Sequence, residues 1–347
     1  MNSCSLLSEL TAILHNSDEV ILLKSISGTD DAEQLVGLIN NFCIEHFSSP
    51  VSACYFARLS IGASLGLRLE NGKDIFLKIN KLRSDPSANG GHSIDELTAK
   101  SRAQEALYTT GFPCPAIVLH PISYHGALYT VQEYVDVGAQ TDAHIPSIRR
   151  ASAQGFAELT KRVNARISAH GFTEIDIYRI DDLFPAPRNP NSNFAKNAEK
   201  AGWIDEIALK SKQTILSSSK NVVLGHCDWS MKNMRFSDDR LAMVYDWDSI
   251  ILQDEFHLLG NAASKYNETW DIPVRITPTQ EEAYDFVVEY ERMRGIRFTR
   301  EEWIKISACV TYIFCHSARW QIAYEVAYEG SYIEALNNMR GGNYLQV

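Results

Sequence analysis

Asp228, Asn233 and Asp246 are the residues of this chain whose types and spacing could do chemistry. Moving a phosphoryl group from a nucleotide needs a carboxylate to accept or orient the acceptor hydroxyl, and hard oxygen ligands for the Mg²⁺ on the phosphates. Two carboxylates and a carboxamide supply that set. They stand in His226-Cys227-Asp228-Trp229-Ser230-Met231-Lys232-Asn233 and, one short hairpin later, in Asp246-Trp247-Asp248. Taken singly, each has a plain structural explanation, since Asp and Asn in turns satisfy backbone groups and a histidine ending a buried strand is commonly packed. The spaced block as a whole is what points to catalysis.

Local pattern positions these groups without any long-range assumption. Asn221-Val222-Val223-Leu224-Gly225 is apolar and β-branched and is predicted to be a buried strand. Asp228 to Asn233 is then a loop, and Met234-Arg235-Phe236 leaves it as a second strand. A polar turn at Ser237-Asp238-Asp239 returns the chain through Leu241–Tyr245, which brings Asp246 back to the end of the hairpin that Asn233 began.

This block resembles the signature of the aminoglycoside phosphotransferase and choline kinase superfamily, distant relatives of the protein kinases. That signature is H-x-D-x-x-x-x-N followed by an aspartate at the end of the next hairpin, often before Trp, and His226, Asp228, Asn233, Asp246 and Trp247 match it. The resemblance implies an α+β, bilobal protein-kinase-like fold, with a small antiparallel-sheet lobe and a mainly helical lobe. It implies a small-molecule kinase using ATP and Mg²⁺, with Asp228 as catalytic base, Asn233 and Asp246 as metal ligands and His226 organising the loop. Asp248 would add a carboxylate to the metal or cap the structure that follows. Family loops commonly read H-G-D-x-H-P-G-N, and this chain departs at Cys227, Ser230 and Met231-Lys232. Cys227 reads as a packed thiol and Lys232 as a solvated loop lysine in preference to a phosphate contact. His257 before Leu258-Leu259 is the nearest match to an aspartate that the family usually carries in its next helix.

Upstream, Asp30-Asp31 precede an apolar-periodic segment through Leu35, Leu38, Ile39, Phe42 and Cys43 that ends at Ser48-Ser49-Pro50, a predicted helix. Residues 54–60, 64–70 and 74–80 read as antiparallel strands, the last two joined by the hairpin dipeptide Asn71-Gly72. On the third strand alternation sends Ile75, Leu77 and Ile79 to one face and Phe76 and Lys78 to the other. The resemblance makes Lys78 the lysine that binds the α- and β-phosphates, and its carboxylate partner should lie on the following helix, opened by Ser93-Ile94-Asp95-Glu96. Glu96 and Glu105 flank the expected position, and Glu105 is the choice. The Ser60-Ile61-Gly62-Ala63-Ser64 turn stands where a phosphate-covering loop belongs; with one glycine, only Ser60, Gly62 and Ser64 offer hydroxyls and backbone amides. The strand 127–135 leads to a hinge at which backbone groups of Glu133 and Val135 would meet adenine. The lobes are expected over 1–135 and 136–347.

From residue 136 the pattern turns helical: 149–163 is amphipathic, 185–193 is a Pro/Asn-rich loop, and Thr277-Pro278-Thr279-Gln280 and Thr299-Arg300-Glu301-Glu302 read as capping boxes. Of Tyr266, Trp270, Tyr284, Trp303, Tyr312, Trp320 and Tyr324, most at helical spacing must be core, with one or two left for an acceptor pocket. Glu281, Glu282, Asp285 and Glu289 read as a solvated face.

At 347 residues and 45% hydrophobic content the chain holds a full core. The formal charge of −10 argues against nucleic acid and mildly favours a neutral or cationic partner. Seven cysteines without metal-ligand spacing read as reduced thiols, and no apolar run reaches membrane-spanning length, so a cytoplasmic enzyme with a small-molecule hydroxyl acceptor and no membrane partner is expected. No G-x-x-x-x-G-K-[ST] is present. Two rivals remain: a kinase-fold binding module without turnover, suggested by the glycine-poor turn and Cys227, and an adenylyltransferase on the same scaffold. Neither the acceptor nor the oligomeric state is legible.

Overall fold

The computed structural model describes residues 5–15, 17–60, 62–83, 90–185, 193–326, 330–339 and 344–345. These fall into two compact units, one formed by the described residues up to Glu105 with Pro115–Asp136, the other by Ala106–Cys114 with the described residues from Val137 onward.

The first unit opens with three helices, α1 (Leu6–Ile13), α2 (Ser17–Ser27) and α3 (Ala32–Phe47). The Asp31 side chain accepts the Gln34 N–H at 3.0 Å and starts α3; Ser48, at φ 55°, ends it. Leu35, Ile39, Phe42 and Cys43 fall on one buried stripe, as their spacing predicts. Strands β1 (Val51–Leu59), β2 (Gly62–Leu69) and β3 (Asp74–Lys81) follow, then α4 (Ile94–Thr109), β4 (Ile117–Tyr124) and β5 (Ala127–Glu133). The strands form one antiparallel sheet in the order β1-β2-β3-β5-β4. Gly72 turns β2 into β3 at φ +83°, a conformation that favours glycine.

Alternation along β3 divides the sheet's two faces. Ile75, Leu77 and Ile79 are fully buried in one cluster with Leu10, Leu23 and Phe42 of the three helices. Phe76 and Lys78 are half-buried on the opposite face. The helices therefore supply the sheet's hydrophobic backing and leave the Lys78 face outside that core.

The second unit contains α5 (Pro146–Arg166), α6 (Gly202–Ser217), β6 (Val222–His226), β7 (Met234–Ser237), β8 (Arg240–Val244), β9 (Ile250–Asp254), α7 (Glu255–Lys265), α8 (Gln280–Arg294), α9 (Arg300–Tyr324) and α10 (Tyr332–Asn337). Two short antiparallel pairs, β6 with β9 and β7 with β8, lie among the helices. Most of the 185–193 loop lies outside the described residues. The fold class is thus α+β, as expected from the sequence.

Both predicted helix starts are present, one in shifted register. The first box is built by Thr279 and Glu282, not by Thr277 and Gln280; the Thr277 hydroxyl instead donates to the Gly330 carbonyl at 2.6 Å. The second is Thr299 with Glu302, each side chain bonding the other residue's backbone N–H. Thr299→Ala removes one of those bonds and is expected to cost about 1 kcal/mol in a urea melt, with Thr299→Ser nearly neutral.

The acidic stretch on α8 is only in part a solvated face: Glu281 and Asp285 are exposed, whereas Glu282 and Glu289 are half-buried. Asp285 pairs with Arg149 at 3.0 Å, and Glu289 accepts from Gln154 at 2.7 Å, so two of the four acids tie α8 to α5. Glu282 pairs with His144 at 3.0 Å and Arg275 at 2.9 Å. Burial acts to raise its pKa, but the bonds from His144, the Thr279 N–H and Arg275 prevail and lower it to about 2. A depressed carboxylate pKa stabilises the fold above the unfolded value and loses that contribution as pH falls through the folded one. Stability should therefore decline between about pH 4.5 and 2. Glu282→Gln should be less stable at pH 7 and show a shallower decline over that window in pH-stepped urea melts.

Of the six described cysteines five are buried and Cys227 is partly exposed. Among the described residues no helix is long and apolar enough to cross a membrane.

Candidate active site

Strand β6 ends at His226, which is buried with Trp229 and Trp247 packed edge-on against its ring. The Asp228 N–H donates to His226 Nδ1 at 3.2 Å, which makes Nδ1 the acceptor; Nε2 then carries the proton and donates to the Tyr245 carbonyl at 3.2 Å. Burial lowers the imidazole pKa against the opposing pull of Asp246 and Asp228, which fits this neutral tautomer. His226 thus ties the start of the loop to the residue before Asp246.

Between β6 and β7 the loop closes on Asp228. Asn233 Nδ2 donates to the Asp228 carbonyl at 2.9 Å and to Oδ2 at 3.1 Å, while the Ser230 hydroxyl lies 3.3 Å from Oδ1. Lys232 Nζ is 3.0 Å from Oδ2. Lys232 is therefore an ion-pair partner of Asp228 and not the solvated loop lysine expected. Burial acts most strongly, to raise the Asp228 pKa, but the charge and hydrogen bond of Lys232 together with His226 prevail and the net shift is downward. Asp228 is accordingly a carboxylate at neutral pH.

The hairpin returns Asp246 to Asn233 as the sequence predicts. The Tyr245 N–H donates to the Asn233 carbonyl at 2.8 Å, just beyond the Met234–Val244 pair of β7 and β8. Asp246 sits at φ 64°, ψ 50°, a left-handed conformation that Asp and Asn adopt more readily than most residues. Its Oδ2 accepts the Ser249 hydroxyl at 2.7 Å, and its carbonyl accepts the Ser249 N–H at 3.0 Å. Trp247 is buried against Phe112 and donates its indole N–H to the Val244 carbonyl at 2.8 Å. Asp248 occupies the single 3₁₀ turn Trp247–Ser249.

The donor set fits a Mg²⁺ carried by a nucleotide. Asn233 spends Nδ2 on Asp228, which leaves Oδ1 as the atom that could meet a cation. Among the described residues no group of three or more His, Cys, Asp and Glu could hold a metal ion, so Asp228, Asp246 and Asp248 do not form a self-sufficient cage. Two protein oxygens completed by phosphates and water are the usual arrangement for Mg²⁺.

Sequence pattern missed the loop's outer supports. Asn261 on α7 donates to the Cys227 carbonyl, the Cys227 N–H donates to the Ser249 carbonyl at 2.9 Å, and Gln140 Nε2 reaches the Lys232 carbonyl at 3.4 Å. Asn261 and Gln140 are remote in sequence, and no spacing signals them; only Ser249, three residues after Asp246, was open to reading as a turn hydroxyl. His257, the nearest match to the family's helix aspartate, is a core histidine bonded to Tyr178, its pKa pushed down to about 3 by burial. Tyr266 and Tyr312 are buried as core, whereas Trp270 is 60% exposed.

In the first unit Lys78 stands between Ser64 on β2 and Thr130 on β5 in one cross-strand row. The turn before β2 is closed by the Ser60 N–H on the Gly62 carbonyl at 2.9 Å, and a Cβ on Gly62 would meet Asn80 Oδ1 at 2.6 Å and the Ile79 carbonyl at 2.8 Å. Glycine is needed there for space. Glu105, expected opposite Lys78, is half-exposed and turns to His120 at 3.5 Å. The carboxylate set among cations on α4 is Glu96, 2.8 Å from both Arg83 and Lys100 and 3.2 Å from His92. The Glu133 N–H already donates to the Ala116 carbonyl at 2.9 Å, so Glu133 could offer adenine its carbonyl but not that N–H. Val135 follows the end of β5.

No family model and no curated protein matches the chain. Solved structures do. An amicoumacin kinase in complex with AMP-PNP, Ca²⁺ and Ami is similar at TM-score 0.53 and 11% identity, over 81% of this chain and 91% of that one. An AMP-bound spectinomycin phosphotransferase gives TM-score 0.53 at 11% identity, over 89% and 99%. An ethanolamine kinase of Plasmodium vivax gives TM-score 0.50 at 12% identity, over 92% and 90%. At such identities the likeness is one of fold. The chain has an α+β, protein-kinase-like fold, which it shares with these kinases and this phosphotransferase.

Proposed function

We propose that this chain is an ATP-dependent phosphotransferase that moves the γ-phosphoryl group to a hydroxyl of a small molecule, such as an aminoglycoside-like sugar or an amino alcohol. The observation that carries it is the closed cluster in which Asp228 accepts hydrogen bonds from Asn233 and pairs with Lys232, with the residue before Asp246 bonded to the Asn233 backbone. Asp228 would accept the acceptor's hydroxyl proton, and being already ionised it needs no prior deprotonation. His226 holds the Asp228 backbone in place. Asn233 and Asp246 would hold Mg²⁺, with Asp248 in reserve; bound there, the ion would neutralise charge on the transferring phosphates.

In the first unit Lys78 would bind the α- and β-phosphates, the Ser60–Ser64 turn would supply hydroxyls and amides to phosphate, and Glu133 and Val135 would meet adenine. Glu105 is the less suitable partner for that lysine, because it is half-exposed and faces His120. We assign nucleotide binding to residues 1–135 and catalysis and acceptor binding to 136–347, in a cytoplasmic enzyme. The net charge of −10 suits a neutral or cationic acceptor.

Incubation with Mg²⁺ and ATP against a panel of hydroxyl compounds tests this. The expected result is acceptor-dependent release of ADP. Release of pyrophosphate would make the chain an adenylyltransferase, and nucleotide binding without release of either would make it a binding module.

A further inference from the structure

Lys232 is built into the catalytic loop more firmly than a surface lysine would be. Its N–H donates to the Glu268 carbonyl at 3.1 Å, and its carbonyl accepts from Gln140 Nε2 at 3.4 Å and Arg235 Nη1 at 3.3 Å. The backbone is thus pinned from three sides, and the side chain, 35% exposed, ends 3.0 Å from Asp228 Oδ2. That oxygen also accepts from Asn233 Nδ2 at 3.1 Å. Arg235 cannot take over this position, because its guanidinium is spent on the Lys232 and Met234 carbonyls and lies over the Tyr245 ring.

Phosphoryl transfer creates an electrostatic conflict here. A hydroxyl bonded to Asp228 must lie about 3–3.5 Å from the phosphorus it attacks, which brings an anionic phosphoryl group close to an anionic carboxylate. A cation that touches the carboxylate and can reach toward the phosphoryl oxygens relieves that repulsion, and the ammonium of a lysine, on four flexible methylenes, can do both.

We propose that Lys232 is a phosphate-facing catalytic residue whose Nζ bridges Asp228 and an oxygen of the γ-phosphoryl group during transfer. This rests on the phosphotransferase function proposed above. In the step, the acceptor oxygen forms a bond to the γ-phosphorus and its proton passes to the Asp228 carboxylate. The bond from phosphorus to the β–γ bridging oxygen breaks with its electron pair leaving on ADP, and Lys232 stays protonated throughout.

Calorimetric binding of ADP and of the γ-containing analogue AMP-PNP, both with Mg²⁺, to wild type, Lys232→Met and Lys232→Arg tests the assignment without knowledge of the acceptor. Lys232→Met should weaken AMP-PNP about tenfold or more, as loss of a charge-assisted hydrogen bond does, and leave ADP unchanged; Lys232→Arg should recover part of the loss. ADP binding serves as the folding control for each variant, and Lys232→Gln replaces the Met variant should that one not fold. Equal weakening of both nucleotides would make Lys232 a support of the loop and overturn the assignment, as would an unchanged ratio. If wild type binds neither nucleotide, the phosphotransferase function itself falls, an outcome distinct from the other two.

Discussion

An Asp228→Asn variant is expected to lose about 10²- to 10⁴-fold in acceptor-dependent ADP formation, the range that a positioned general base contributes. The amide keeps the shape of the carboxylate, and its carbonyl oxygen can still accept from Asn233 or Lys232, which now meet at Oδ2. What it cannot do is receive a proton. The His226–Asp228 backbone contact survives the substitution, since it uses only the Asp228 N–H. Nucleotide affinity should stay within a few-fold of wild type and the urea midpoint should barely move. Turnover above a tenth of wild type, measured by coupled ADP release, would remove Asp228 from the role of base. Loss of nucleotide binding together with turnover would show that the change had disturbed the loop and not its chemistry.

The largest effect on stability is expected far from that loop. Lys305 on α9 is buried, lies 2.5 Å from Asp254, bonds the Ser219 carbonyl and sits over the Phe256 ring at 4.9 Å. Removing one member of a buried ion pair strands the other, at a cost of about 3–5 kcal/mol. Lys305→Met should fall near the lower end of that range, about 3 kcal/mol. Asp254 keeps the Asn221 N–H at 3.2 Å and the Phe256 N–H at 3.4 Å, the second as the cap of α7. Adding Asp254→Asn should restore part of the loss, because the uncompensated charge goes while the capping function stays. Urea unfolding of both singles and the double closes the cycle; strictly additive losses would mean that the ion pair contributes nothing specific.

Much of the candidate catalytic loop was legible because it is local. Strand, loop, strand, turn and returning strand occupy 221–246 without a break, so hydrophobic alternation and turn residues were enough to bring Asp246 back beside Asn233. Lys78 was legible for a similar reason, since side-chain alternation on a strand needs no partner to be known. Errors arose where partners come from elsewhere in the chain. Lys232 was read as solvated because nothing near it in sequence announces that its Nζ folds back onto Asp228, and the ties made by Glu282, Asp285 and Glu289 were missed because His144, Arg149 and Gln154 are more than a hundred residues away. The capping box slipped by two residues because two threonines, each followed three positions later by Gln or Glu, compete at 277 and 279. The acceptor was illegible for a deeper reason: in the helical unit proposed to bind it, sequence spacing reports only which face is buried.

The three opening helices give the sheet its hydrophobic backing, and this sets an order of events while the chain is being made. Translation delivers α1–α3 before any of the strands they cover, and β5, which lies between β3 and β4, is finished only at Glu133. At ribosomal rates of about 5–20 residues per second, the apolar stripe of α3 waits on the order of ten seconds for its complete partner. For that interval Leu35, Ile39 and Phe42 are an exposed adhesive surface on a nascent chain. The second unit carries such exposure for longer, since α5 ends at Arg166 and its partner α8 is finished only at Arg294.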